Sequence, residues 1–174
     1  MAFDPSAYRS FRYDRFEWDA ETSTVRFHYS LVGDSVEGEH FVEELAFTPC
    51  HPDKVDGQRV PRLLALLGAV LGLSYYKLAA PQRIDIAAAG LTQEAIDYFS
   101  LVISEGMAEF ALRNGFDKPL SPEIVMESAL APAWDADSWR VVSGDPLVPI
   151  GGEKTRLCRW SCYSELASTP CSLR

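Results

Sequence analysis

The 174-residue sequence has no lysine- or arginine-rich run, and its formal net charge is −9. Binding to nucleic acid by phosphate neutralisation needs a basic face, which speaks against a nucleic-acid partner. The chain is also short of long apolar runs. The longest, "LLALLGAVLGL" at Leu63–Leu73, covers roughly 16 Å as a helix, about half a bilayer core. It reads as a buried helix, with no membrane association expected. The opening "MAFDPSAYRSFRYD" lacks the basic segment and apolar core of a secretory signal, so a cytoplasmic location is expected. Histidine is scarce, with none after His51. Cysteine is scarce until late: Cys50 stands alone before residue 153, whereas Cys158, Cys162 and Cys171 crowd the last 22 residues. No internal repeat or low-complexity segment occurs. No complete Walker loop occurs either, because Glu153 separates Gly152 from Lys154 and Leu147 stands where the first glycine belongs.

What is present suits one full domain with a fragment of a second. The apolar fraction of 47% and charged fraction of 24% are those of a globular protein. A domain of roughly 150 residues buries about two-thirds of its unfolded surface and needs no staple or metal. The charge is divided unevenly: residues 1–152 carry 12 basic and 23 acidic side chains, whereas residues 153–174 carry four and two.

From Phe11 to Phe47 the pattern is that of strands. "FRYDRFEWD" alternates, with Phe11 and Tyr13 and then Phe16 and Trp18 on changing faces. Val25, Phe27, Tyr29 and Leu31 recur at period two, and "HFVEELAF" completes an expected three-stranded meander. His28 and His40 fall in these strands as surface residues. "TPCHPDKVDGQ" reads as a loop. A helix follows from Val60, with Pro61 in its first turn, running to Pro81. "QRIDIAAAG" is a short strand candidate. A second long helix begins at Thr92, a cap for a free N–H, and ends at Gly115, suited to the left-handed C′ position. "KPLSPEIVMESALAPAW" is expected to hold a short helix, and Leu147–Ile150 a strand that leads into Gly151 and Gly152. The fold class is therefore α+β: a small antiparallel sheet packed with two long helices, then the truncated first strand of an α/β nucleotide-binding domain. The expected divisions are 1–146, 147–152 and 153–174.

Two glycines after an apolar strand can offer backbone N–H groups to phosphate, although a bare pair is more often a chance occurrence. Cys158 and Cys162 could share a helical face, but the four-ligand set and loop spacing that zinc requires are missing. Tyr75 and Lys77 in "GLSYYK" sit at the polar end of the apolar helix, as packing and a snorkelling lysine or as contacts to an anionic ligand. Glu105, Glu109 and Arg113 follow at i, i+4, i+8. They form either a solvent-exposed stripe worth roughly 0.2–0.5 kcal/mol per favourable pair or a general base (Glu109) with a carboxylate clamp (Arg113).

"FEWDAETSTVRFHYSL", "RLLALLGAVLGLSYYKLAAP", "EGMAEFALRNG" and "LVPIGG", in that order, resemble the bacterial UDP-N-acetylmuramoyl-L-alanyl-L-glutamate epimerase family over residues 11 to 152. The resemblance implies inversion of the terminal L-glutamate of a UDP-linked muramoyl dipeptide, with ATP and Mg²⁺ consumed to AMP and diphosphate. In that family the last segment continues as the PP-loop Ile-Gly-Gly-Gly-Lys-Asp-Ser, which would place Gly151 and Gly152 at the nucleotide. Here Glu153, Thr155 and Arg156 replace Gly, Asp and Ser. Removing one G from the third codon of GGN GGN GGA AAA GAC TCG gives GGN GGN GAA AAG ACT CGN, which encodes Gly-Gly-Glu-Lys-Thr-Arg. Residues 153–174 are thus expected to be a frameshifted tail and the chain inactive alone. An unfinished domain edge at Leu147–Ile150 is a possible point of self-association. Two rivals to the epimerase reading are a non-catalytic module for the precursor or a partner, and a PP-loop ligase fragment with another substrate.

Overall fold

Alternating aromatic and polar residues build the first three strands, β1 (Tyr8–Asp19), β2 (Thr24–Gly33) and β3 (Glu39–Ala46), as the expected antiparallel meander. The computed structural model describes residues 4–33, 38–47 and 59–132, all within the compact unit Met1–Trp134. The expected strand Leu147–Ile150, Gly151, Gly152 and the tail 153–174 lie outside the described residues. After β3 come α1 (Arg59–Tyr76), β4 (Arg83–Ile86), α2 (Gln93–Gly106), α3 (Ala108–Arg113) and β5 (Glu123–Met126). The five strands form one sheet in the order β3-β2-β1-β4-β5.

The sheet is mixed, which corrects the expectation of a purely antiparallel one. β4 pairs parallel to β1, and β5 parallel to β4. Each parallel partner is reached through a helical crossover, as parallel neighbours require. β5 also replaces the helix expected around "SPEIVMES". Four residues are too few to show a period, but Ile124 and Val125 are β-branched, and Pro122 stands just ahead of the strand.

The change of face along β1 has a local cause. The pairing with β2 slips between Tyr8 and Ser10 and again between Tyr13 and Arg15, so Arg9 and Asp14 are extra residues in two bulges. The second bulge lets Phe11 and Tyr13, then Phe16 and Trp18, all pack toward the helices.

On that side α1 lies close against aromatic rings. A Cβ on Gly68 would fall 2.2 Å from Tyr13 Oη and 2.6 Å from Phe27 Cδ1, and one on Gly72 would fall 2.8 Å from Tyr29 Cε1. The Tyr29 hydroxyl donates to the Gly68 carbonyl at 2.8 Å. Phe11, Tyr13, Val25, Phe27, Tyr29, Ile84 and Ile86 are all at most 1% exposed, each large apolar side chain contributing roughly 1.5–3 kcal/mol. The outer side of α1 is less covered, with Leu63 half exposed.

The second helical stretch begins as expected, with Thr92 Oγ1 accepting from Ala95 N–H at 3.2 Å. It is two helices rather than one. Gly106, costly in a helix interior by about 1 kcal/mol, precedes Met107, whose φ of −103° and ψ of 14° break the run. α3 then closes in a Schellman motif: Gly115 takes φ +74°, Phe116 N–H bonds Ala111 O at 3.0 Å and Gly115 N–H bonds Leu112 O. Phe116 packs on Phe110 across the cap.

Candidate functional site

The sheet face opposite the core follows from the same alternation and the same bulges. His40, Ser30, Arg12, Asp85 and Val125 lie in one cross-strand row. The Arg12 guanidinium donates to Asp14 Oδ1 at 2.8 Å and grips Glu127 of the loop after β5 through both Nη groups, with Nη2–Oε2 at 2.7 Å. Ser30 Oγ donates to Asp14 Oδ2 at 3.1 Å. Arg26 pairs with Glu44 and Arg15 with Glu17, and the Arg15 hydrogen bond holds the Glu17 carboxyl below its usual range. This is a lattice of ion pairs joining four strands. Individually, its exposed members contribute little, because water and salt screen them.

At one end of this face a cavity of about 230 Å³ opens between β1 and β4, lined by Arg9, Ser10, Arg83 and Asp85. Arg83 Nε donates to Asp85 Oδ1 at 2.7 Å. Asp85 and Ser10 are 7% and 2% exposed. Sequence reasoning missed these four residues. Arg83 and Asp85, two apart in "RIDI", could have been assigned to one face of the strand candidate. The bulge that sets Arg9 beside Ser10 leaves no trace in composition.

The residues singled out from sequence occupy separate places. Tyr75 faces the edge strand: its hydroxyl donates to Glu43 Oε2 at 2.5 Å, and its ring stacks on Phe41 at 4.8 Å. The carboxylate acceptor, joined by partial burial, pushes the Tyr75 hydroxyl up to about 12. Lys77 lies in the turn just after α1, its ammonium 5.8 Å from the centre of the Phe110 ring, a cation–π arrangement that ties the end of α1 to α3. Glu109 and Arg113 pair at 2.8 Å along α3, with side chains 75% and 77% exposed. Glu105 belongs to α2, so the helix break at Met107 interrupts the continuous stripe inferred from sequence. Lys77 therefore approaches α3 through Phe110, whereas Tyr75 is engaged with β3.

Among the described residues, no group of three or more His, Cys, Asp or Glu side chains is placed to hold a metal ion. Nor, among them, is any helix long and apolar enough to cross a membrane. Two further cavities flank the loop before β5. One, of about 430 Å³, includes Tyr76, Lys118 and Ser121; the other, of about 330 Å³, lies between α2 and β5 and includes Asp97 and Ile124.

Comparison with known proteins finds relatives of one kind. The chain is 32% identical over 151 residues to the UDP-N-acetyl-alpha-D-muramoyl-L-alanyl-L-glutamate epimerase of Salinispora tropica, covering 83% of this chain and 31% of that protein. It is 33% identical to the enzyme of the same name from a Micromonospora species, covering 83% and 32%. With that from Xanthomonas oryzae pv. oryzae it shares 33% identity, covering 90% and 34%. The chain thus spans about a third of the length of these curated relatives. The profile of the MurL N-terminal domain matches residues 2–158, and the chain belongs to that family.

Proposed function

We propose that this chain is the N-terminal portion of an ATP-dependent epimerase that converts UDP-MurNAc-L-Ala-L-Glu to UDP-MurNAc-L-Ala-D-Glu in peptidoglycan precursor synthesis. The observation that carries the reading is the family match over residues 2–158, together with relatives named for that substrate. The chemistry explains why ATP is needed. An α-proton beside a free carboxylate is very hard to remove, whereas adenylating that carboxylate withdraws electron density and permits removal on one face and return on the other. Such a site needs amide donors for phosphate, Mg²⁺ and a general base. In this reading Gly151 and Gly152 are what the chain retains of the nucleotide cradle, and residues 153–174 are a frameshifted tail. The chain alone is inactive, and its enzyme works in the cytoplasm.

Glu109 is the candidate base and Arg113 the candidate carboxylate clamp, with Tyr75 and Lys77 as contacts to the precursor. Alanine substitution of each in a full-length relative tests these roles. Loss of turnover with an unchanged melting temperature supports a role, and unchanged turnover removes it.

A second reading, a binding module without catalysis, is favoured by the polar-lined cavity between β1 and β4. Calorimetric titration with the UDP-muramoyl dipeptide and with ATP separates the alternatives. Precursor binding without ATP binding supports a precursor-binding portion that lacks its nucleotide site. ATP binding without precursor binding would point instead to a PP-loop protein of another substrate. Binding of neither would remove the precursor-recognition role.

A further inference from the structure

We propose that the outward faces of α1 and α2 form a dimer interface, in which α1 of one copy of this chain lies on α2 of a second copy. Both faces depart from the polar solvent side expected of a surface helix. On α1 the outward stripe is apolar: Leu63 is half exposed, and Leu66, Leu67 and Val70 are only partly buried. On α2, Tyr98 and Leu101 are both more than half exposed. They stand between Glu94 and Glu105 on one side of the helix, at i, i+4, i+7 and i+11. The two helices touch and send their buried residues into one core, so the two stripes lie next to each other.

Charge identifies the occupant. From Arg59 to Lys77 the chain holds Arg59, Arg62 and Lys77 and no acidic residue, whereas from Gln93 to Gly106 it holds Glu94, Asp97 and Glu105 and no basic one. The helix macrodipole opposes the arginines in the first turn of α1 and Glu105 in the last turn of α2, since each meets a partial charge of its own sign. Among the described residues no cation pairs with Glu94, Asp97 or Glu105. Arg62 already donates to the Pro132 carbonyl at 3.0 Å and Lys77 lies over Phe110, so the pairing draws on their charge and not on free donors. One chain therefore carries both halves of a match, an apolar stripe with basic ends and an apolar stripe flanked by acids. A two-fold axis between facing helix layers lays α1 on α2 and α2 on α1, and each contact is made twice. Helices of 18 and 14 residues and about 10 Å wide offer roughly 500 Å² per copy. The total of roughly 1,000 Å² is the lower bound of a specific interface, which suits a reversible dimer.

This dimer goes beyond the epimerase reading and does not rest on it. The test is sedimentation velocity of the full 174-residue chain over a concentration series. A monomer–dimer equilibrium is expected, with a dissociation constant on the order of 10 μM. Leu101→Lys places a charge at the apolar centre and should weaken it at least about tenfold. Val42→Lys, equally exposed but on the opposite sheet face, should leave it unchanged. Two charge reversals supply the stricter arm. Glu94→Lys with Glu105→Lys makes both stripes basic, and Arg59→Glu with Lys77→Glu makes both acidic, so each variant alone should be monomeric. Mixed in equal amounts they should form a heterodimer, because every contact again joins opposite charges. All these side chains except Arg59 are exposed, and circular dichroism confirms that each variant is folded. A wild-type chain still monomeric at about tenfold the expected constant would overturn the interface. So would equal weakening by Leu101→Lys and Val42→Lys, a dimer that survives both reversals, or reversed variants that stay apart on mixing.

Discussion

Tyr13 and Gly68 show how closely single residues decide this core. Tyr13 Oη is buried without a hydrogen-bond partner, and burial raises its pKa well above the usual tyrosine value. Replacing it by Phe removes an unsatisfied polar group, so stability in urea should be unchanged or rise by about 1 kcal/mol. A clear loss would reveal a partner for the hydroxyl. Gly68→Ala adds a methyl where Tyr13 and Phe27 already stand. The gain in helix propensity, about 1 kcal/mol, is outweighed by overpacking, and a net loss of roughly 1–3 kcal/mol is expected. Because Phe27 also crowds the site, Tyr13→Phe should rescue only part of that loss. Alkaline pH tests the tyrosines together. Burial raises Tyr13, Tyr29 and Tyr76, while the Glu43 hydrogen bond raises Tyr75, the last two to about 12. Folded pKa values above the unfolded value of about 10 mean stability intact below pH ~10 and lost as pH rises through the folded values. Urea midpoints measured from pH 8 to 12 should therefore fall above about 10, less steeply in Tyr75→Phe. A flat profile would contradict these environments.

At the scale of elements, what the sequence displayed was periodicity, and what it concealed was register and direction. The meander was legible because Val25, Phe27, Tyr29 and Leu31 repeat over the length of β2. Thr92 and Gly115 marked real ends for the same local reasons that make them caps. β5 was misread because four residues cannot display a period. The single long helix was misread because a lone glycine lowers helix stability without showing where the chain turns. The parallel pairing of β1 with β4 depends on contacts between segments some 70 residues apart, which no local pattern records. The bulges make a specific prediction. Deleting Asp14 removes the extra residue and restores strict alternation, keeping Phe11, Tyr13, Phe16 and Trp18 on the core face. Deleting Arg12, outside a bulge, turns one side of β1 inside out. Thermal melts should show the Asp14 deletion folded, weakened by loss of the Arg12 and Ser30 contacts, and the Arg12 deletion unfolded. Equal melting temperatures would refute the assigned register.

Among the described residues the aromatic core lies between sheet and helices, and the opposite sheet face carries paired charges and a small polar-lined cavity. The family was legible because several separate segments kept their order, and the comparisons bear it out over residues 2–158. The candidate site was less legible. Tyr75, Lys77, Glu109 and Arg113 were chosen for their positions along helices, yet the fold gives Tyr75 to Glu43 and pairs Glu109 with Arg113 in solvent. The cavity residues come from two strands that meet only in the folded sheet. The chain spans about a third of the length of its curated relatives.

The most direct measurement incubates the purified 174-residue chain with UDP-MurNAc-L-Ala-L-Glu, ATP and Mg²⁺, then determines the configuration of the released glutamate. A full-length relative serves as the positive control. The account predicts L-glutamate alone and no AMP from this chain, against D-glutamate and AMP from the control. D-glutamate formed by this chain unaided would contradict it.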